Sequence, residues 1–155
     1  MTEPKLIGGT DIDRKKVLEQ FHAYLEANSK FDWPRLSEEI WSADPNAVFF
    51  NLNGHTYNGR DHWVQLWQYY KQHMATGEWI PYDIGGVVGV DVATIWCHRH
   101  TKIRWVGSDP RPNERHEDAD FVSRSTMTFR KENGGWRVVH VHFSPASTDA
   151  RPGGI

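Results

Sequence analysis

Four long strand patterns fill the second half of the chain and constrain its fold more than any other feature. They are the segments 79–90, 92–105, 121–130 and 136–144. An Asn-Gly-Gly turn at 133–135 joins the last two, which predicts antiparallel pairing. Residues 107–119 are predicted to form a polar loop. Pro81 and the pair Gly85-Gly86 predict a bend or bulge in the first strand, so the sheet can curl around other elements.

Helical patterns precede these strands. Apolar residues at helical spacing predict a first helix from Asp13, as its cap, to about Asn28. Asp32 is predicted to cap a short second helix with Pro34 in its first turn. A third apolar stripe predicts a helix over 62–75.

Two short strands, 47–52 and 55–57, are predicted between the second and third helices, joined by the turn Asn53-Gly54. Helices that are segregated from antiparallel strands indicate the α+β class. The predicted architecture is a cone-shaped, curved antiparallel β-sheet wrapped around three N-terminal helices.

Length and composition indicate one domain. The 155 residues fit a single domain over 1–155, with a core at about 13–146 between a flexible arm and a tail. Cys97 is the only cysteine, which excludes an intrachain disulfide and predicts a cytoplasmic protein. A net charge of −2 offers no basic surface for nucleic acid, and no apolar stretch is long enough to span a membrane.

Aromatic residues are abundant, with eight tryptophans among them. Such residues can form a bulky core and a dimer interface. They can equally line a pocket for a flat or aromatic ligand, because ligand pockets are mostly apolar with a few polar groups. The sequence leaves both interpretations open.

Alternation along the strand 92–105 places Arg99 on the same face as Ala93, Ile95, Cys97 and Ile103. Since that apolar face is expected to meet the helices, Arg99 is predicted to lie inside the cone. A buried guanidinium needs a carboxylate or an anionic ligand. The alternatives are an internal salt bridge with Glu19 or Glu26 and a bound anion.

Histidines alternate with these inward residues. The outer face is predicted to carry His98, His100, His140 and His142 as interface residues of a homodimer. No metal site is predicted, because the strand with Arg124 and Arg130 lies between the strands of the two histidine pairs. A bulge in the strand 92–105 would instead turn His98 and His100 inward. On the apolar face of the last strand we expect Val139, Val141 and Phe143, with Trp136 and Val138 opposite.

The ordered set of motifs resembles the SnoaL-like branch of the nuclear transport factor 2-like (ketosteroid isomerase-like) superfamily over about 13–146. The last strands also resemble the association domain of calcium/calmodulin-dependent kinases. The motifs that carry the resemblance are Asp-Pro-Asn-Ala-Val-Phe-Phe at 44–50, Tyr-Asn-Gly-Arg-Asp at 57–61, Arg-x-Thr-x-Thr-x-Arg at 124–130 and Gly-Trp-Arg-Val-Val-His-Val-His-Phe-Ser at 135–144.

This resemblance implies a pocket in the cone and, for Arg99, a position in it. It aligns Asn51 with the aspartate base of the ketosteroid isomerases and places Phe21 near their oxyanion-binding tyrosine. Because an amide does not abstract a proton at neutral pH, steroid isomerase chemistry is not expected. Asn51 either orients a substrate hydroxyl or caps a turn.

Two sets of candidate site residues follow. A histidine near the pocket mouth can act as a general base near pH 7. The candidate catalytic residues are Arg99, Tyr24, Asn51, His55 and His100. The candidate substrate-binding residues are Phe21, Phe49, Trp63, Trp67, Tyr70 and Trp105.

The functional prediction is a cofactor-independent enzyme of the proton-transfer type, a lyase, dehydratase or isomerase, acting on a small aromatic molecule. The resemblance includes lyases that release formaldehyde from lignin-derived diarylpropane diols. The alternative is a non-catalytic ligand-binding or dimerisation module, because this fold serves both purposes.

Overall fold

The computed structural model describes residues 3–106 and 119–154, and the predicted polar loop lies outside these ranges except for Ala119. The helices are α1 (Asp11–Ser29), α2 (Trp33–Arg35), which continues into a π-helical turn (Leu36–Ile40), and α3 (Arg60–His73). The strands are β1 (Lys5–Ile7), β2 (Val48–Phe50), β3 (Thr56–Asn58), β4 (Met74–Val88), β5 (Val92–Trp105), β6 (Ala119–Glu132) and β7 (Gly135–Pro145).

The seven described strands form one sheet in the order β1-β4-β5-β6-β7-β2-β3. The α+β class and the curved sheet around the helices are confirmed. The sheet is mixed, however, because β1 runs parallel to β4 and β2 runs parallel to β7. The long strands β4 to β7 pair antiparallel, as the predicted architecture has them, and the Asn-Gly-Gly turn joins β6 to β7. None of the described helices is long and apolar enough to cross a bilayer.

Helix α1 starts earlier than its sequence pattern predicts. Thr10 is the N-cap, and its hydroxyl accepts a hydrogen bond from the Asp13 amide at 3.1 Å. Asp13, the predicted cap, lies in the first turn and pairs with Lys131 at 2.9 Å. The Asp32 cap of α2 is confirmed, since its carboxylate accepts from the Arg35 amide at 3.2 Å.

The segment predicted as a loose N-terminal arm contains strand β1, which pairs with β4 at Gly85 and Gly86. Both glycines lie close to neighbouring groups. A Cβ on Gly85 would lie 2.5 Å from the Trp96 indole nitrogen, and one on Gly86 would lie 2.5 Å from the Thr94 carbonyl oxygen. These glycines allow the close approach that the sequence indicates only as a bend.

Strand β7 carries a bulge that corrects the predicted faces. Its register with β6 shifts between the pairs Thr128–His140 and Phe129–Val138. As a result Val138 and Trp136 are buried with Val141 and Phe143, while Val139 is only half-buried. The extra residue reverses the alternation of the strand, which strict period-two spacing does not reveal.

Aromatic side chains fill the end of the core formed by β2, α3 and the π-helical turn. Trp63 stacks on Phe49 with ring centroids 5.0 Å apart and lies 4.2 Å from Trp67. Trp41 approaches Trp67 edge-on at 5.2 Å. All four side chains are buried, so this aromatic cluster (Trp41, Phe49, Trp63, Trp67) anchors the helices to the sheet.

Phe49 and Phe50 are adjacent and differ in burial, so they form a matched pair for testing the core. Phe49→Ala removes a fully buried ring and is expected to lower the free energy of unfolding by about 3–5 kcal/mol. Phe50 is 38% exposed, and Phe50→Ala is expected to cost about 1 kcal/mol or less. Urea denaturation of the two variants measures both values, and equal losses would contradict the described packing of Phe49.

Candidate functional site

Strand β5 places Arg99 inside the cone. Buried and more exposed residues alternate along its whole length, and its ladder with β6 is unbroken from Val92 to Ile103. No bulge therefore turns His98 and His100 inward. The register shift beside Tyr82 lies in the pairing of β5 with β4 and leaves this alternation intact.

Arg99 is 1% exposed and is held by neutral groups. Its Nε donates to Ser123 Oγ at 3.2 Å, and the Ser123 and Thr101 hydroxyls lie 2.7 Å apart. The guanidinium carbon lies 4.2 Å from the centroid of the Phe143 ring. Within the described residues, both Nη1 and Nη2 are buried without a hydrogen-bond partner.

No ion pair among the described residues involves Arg99. The salt-bridge partners predicted for it lie elsewhere: Glu19 pairs with Lys15, and Glu26 pairs with Lys30 and Arg35 at the surface. Burial lowers the pKa of Arg99 because desolvation disfavours the charged form. The interior therefore contains a guanidinium whose counter-charge none of the described side chains supplies.

A cavity of about 90 Å³ lies beside Arg99. Its deep wall is made of buried side chains, namely Asn28, Asn51, Trp67, Tyr70, Arg99, Ile103 and Phe143. Its mouth includes the more exposed Leu52, Trp79, Phe121 and Pro145. The cavity is thus polar and charged at depth and apolar toward solvent.

Two buried hydrogen bonds orient the polar wall. Asn51 Nδ2 donates to the Tyr70 hydroxyl at 3.0 Å, and Trp67 Nε1 donates to Asn28 Oδ1 at 2.7 Å. Because these amides are held by aromatic partners, their remaining polar atoms have fixed directions. The wall can therefore position a ligand oxygen as well as enclose it.

Tyr24 is fully buried beside Arg99 and Phe143. Its hydroxyl lies close enough to Arg99 to interact with the guanidinium charge. With the described residues it forms no hydrogen bond of normal geometry. Burial raises the pKa of Tyr24 to about 12, although Arg99 opposes the shift. Tyr24 therefore keeps its proton at neutral pH and is suited to donate rather than to accept one.

The structure brings only part of the predicted site together. Arg99, Asn51, Trp67 and Tyr70 line the cavity, and Tyr24 lies beside it. Phe21, Phe49 and Trp63 are buried in the core without lining the cavity. Trp105 is also buried, but its ring packs against Tyr69 and His73, with centroids 6.0 and 5.5 Å away.

Neither histidine of the predicted catalytic set lines the cavity. His55 is exposed in the turn between β2 and β3 and borders a shallow surface groove that shares Asn51 with the cavity. His100 lies on the outer face and pairs with Asp120, while His98 pairs with Asp83 at 3.4 Å. Among the described residues, no cluster of three or more His, Cys, Asp or Glu side chains could hold a metal.

The sequence-based candidates leave out most of the residues that line the cavity, among them Asn28 and Phe143. Asn28 follows Tyr24 by four residues on α1, so one helix face carries both, and this spacing is the signal that could have identified it. Phe143 is predicted to face inward, but nothing in its strand pattern indicates that it covers the face of Arg99.

The outer face of the sheet exposes large side chains. Ile80, Tyr82 and Trp96 are 49%, 40% and 41% exposed, and Phe50 lies in the same layer. The strand pairing places these residues in rows with His98, His100 and His142. This outer apolar face (Phe50, Ile80, Tyr82, Trp96) is typical of interaction surfaces.

The raised pKa of Tyr24 predicts a specific loss of stability in alkali. Unfolded tyrosine ionises near pH 10, whereas folded Tyr24 ionises near pH 12, so the folded state binds the proton more tightly over this interval. Stability is therefore lost as pH rises from about 10 to 12, by about 2–3 kcal/mol from this residue.

Chemical denaturation at several pH values tests this expectation. The wild type should lose more stability between pH 10 and 12 than the Tyr24→Phe variant. Tyr82→Phe, which alters an exposed tyrosine, should follow the wild type. Parallel curves for the wild type and Tyr24→Phe would contradict the burial of the Tyr24 hydroxyl.

Comparisons with known proteins agree with this geometry. A sequence profile of the SnoaL-like domain matches residues 17–148. A search of curated proteins found no match. The chain is similar to solved structures of low sequence identity, which bears on the fold alone.

One is a protein from Streptomyces avermitilis described as a candidate dehydratase of the NTF2-like family, with 19% identity, 90% of this chain and 100% of that chain covered, and a TM-score of 0.75. A second is described as an NTF2-like superfamily protein from Salmonella enterica serovar Typhimurium. It is 20% identical, with 94% of this chain and 99% of that chain covered and a TM-score of 0.76.

A third similar structure, from Thiobacillus denitrificans, is described as a candidate association domain of a calcium/calmodulin-dependent protein kinase type II. It is 16% identical, with 83% of this chain and 93% of that chain covered and a TM-score of 0.65. The profile match covers most of the chain, so the chain belongs to the SnoaL-like domain family.

Proposed function

We propose that this protein is a cofactor-independent lyase, dehydratase or isomerase that acts on a small aromatic molecule by proton transfer. The observation that carries the proposal is the Arg99 guanidinium, buried against a cavity with two nitrogens unpartnered by any described residue. A fixed positive charge in a water-poor cavity stabilises negative charge that develops on a substrate oxygen.

Tyr24 and Asn51 supply complementary roles. Tyr24 retains its proton at neutral pH, so it can protonate or hydrogen-bond the same oxygen that Arg99 stabilises. The Asn51 amide, held by Tyr70, can orient a substrate hydroxyl. Together these groups favour a reaction that passes through an enolate-like or alkoxide-like oxygen.

The proton acceptor lies outside the lining of the cavity. No carboxylate or imidazole is among the described residues that line the cavity. His55 lies in the groove on the other side of Asn51, exposed to solvent. In this proposal the proton is removed either by His55, from the groove that shares Asn51 with the cavity, or by a group of the substrate itself.

The fold relatives support this class of reaction without specifying the substrate. The Streptomyces protein is described as a candidate dehydratase. The aromatic lining of the mouth, Trp79 and Phe121, suits a ring. Within the class, a lyase that releases formaldehyde from diarylpropane diols is the specific reaction we propose to test first.

Formaldehyde release from a diarylpropane diol by the purified protein tests the proposal directly. Arg99→Gln removes the charge that faces the cavity, and kcat/KM is expected to fall about 10²–10³-fold. Arg104→Gln is the matched control, because Arg104 lies on the same strand with its side chain exposed. Full activity in Arg99→Gln, or equal losses in the two variants, would remove the electrostatic role of Arg99.

A second candidate function is assembly, favoured by the outer apolar face. A large apolar patch on a sheet is normally covered, and a second copy of the chain can cover it with the same patch. The face also carries both signs of charge, with Asp83 and Arg124 bordering the same groove and Asp120 paired with His100 farther along β6, which allows a self-complementary contact. This candidate is a homodimer formed through the outer face.

Sedimentation equilibrium tests the homodimer. The wild type is expected at twice the mass of the 18.0 kDa chain, and Ile80→Glu/Trp96→Glu at the mass of a monomer, because buried unpaired charges oppose association. Val90→Glu is the control, since Val90 is 85% exposed at the turn between β4 and β5. A monomeric wild type, or a dimer that tolerates the double substitution, would contradict assembly through this face.

A further inference from the structure

The arrangement around Arg99 specifies the kind of anion that the cavity accepts. We infer that the ligand is an aromatic carboxylic acid whose carboxylate binds Nη1 and Nη2 of Arg99 while its ring lies at the cavity mouth. This inference rests on the proposed function and narrows its substrate class: the oxygen on which Arg99 stabilises negative charge is then an oxygen of the substrate's own carboxylate, so an aromatic acid replaces the diol as the expected substrate.

The free edge of the guanidinium matches a carboxylate. Nε is engaged by Ser123 at 3.2 Å, and Phe143 covers one face of the guanidinium at 4.2 Å. The edge that carries Nη1 and Nη2 remains, and its two parallel N–H groups fit the two oxygens of a carboxylate. Because Phe143 and Ser123 fix the plane, the ligand meets a preorganised fork.

Charge gives a second, independent reason. Cys97, Thr101, Ser123 and Ser125, the neighbours of Arg99 on β5 and β6, are polar but uncharged. Tyr24, which faces Arg99 from α1, keeps its proton, and the surface acids Glu19 and Glu26 pair with other cations. An incoming anion therefore meets no described carboxylate in the cavity and provides the missing counter-charge.

Size limits the anion at the deep end. The cavity volume of about 90 Å³ leaves room at the deep end for a small polar group such as a carboxylate. A cavity that encloses benzene measures about 150 Å³, so a ring does not fit entirely inside. The ring is therefore placed at the mouth, where Trp79, Phe121 and Leu52 are half-buried.

Phenylacetate and phenylacetamide test the inference, since they share size and shape and differ in charge. Isothermal titration of the full-length protein at pH 7 is expected to give phenylacetate a Kd lower than that of the amide by about tenfold or more. Arg99→Met, which leaves Ser123 bonded to Thr101, is expected to abolish this preference. Arg104→Met, the matched control on the same strand, should keep it.

Each other outcome overturns a defined part of the inference. Equal affinity for acid and amide overturns the carboxylate assignment and leaves the aromatic pocket of the proposed function intact. Binding of neither compound at millimolar concentration overturns both. Competition by inorganic phosphate at the affinity of phenylacetate would show a general anion site instead.

A preference for the acid that survives in Arg99→Met would place the carboxylate elsewhere. Should Arg99→Met not fold, Arg99→Lys replaces it, because lysine keeps the charge but lacks the fork. This variant is expected to bind phenylacetate more weakly than the wild type, and unchanged affinity would count against bidentate binding. The wild-type comparison of acid with amide needs no variant.

Discussion

Burial of the Arg99 guanidinium is the constraint around which this structure is organised. Desolvation lowers the pKa of Arg99, which means that the charged form is less favourable inside the cone than in the unfolded chain. The folded state therefore carries a free-energy cost at neutral pH that one hydrogen bond to Ser123 and one aromatic contact offset only in part. Such local costs are typical of binding and catalytic sites.

Stability must then come from the rest of the molecule. The aromatic cluster of Trp41, Phe49, Trp63 and Trp67 buries a large apolar area, and of its four side chains only Trp67 lines the cavity. Away from the cavity, charges are paired near the surface, as where Arg130 contacts Asp44 at 3.1 Å and Glu132 at 2.7 Å. Among the residues that the structure describes, no ion pair therefore lies in the lining of the cavity.

The sequence predicts this arrangement where local periodicity is strong, and fails where pairing between distant segments decides it. Strand β5 alternates without interruption, so the inward position of Arg99 follows from its neighbours. In β7 the bulge near Val139 reverses the alternation of inward and outward side chains. Strand β1 has only three residues, too few to show an alternation in the sequence. Alternation also gives a face but not a depth, which is why Trp105 faces inward yet does not line the cavity.

The difference between a catalyst and a passive pocket in this fold depends on where protons can move. An arginine guanidinium keeps its proton in proteins, and Tyr24 keeps its proton at neutral pH because burial raises its pKa to about 12, so the deep wall can stabilise an anion but cannot accept a proton. An anion that binds there neutralises Arg99 and removes part of the cost of its burial, so ligand binding and folding stability are coupled. The same wall serves a binding module unchanged. It becomes catalytic only when a base outside the wall or on the substrate removes a proton, because Arg99 then stabilises the negative charge that this leaves on a substrate oxygen.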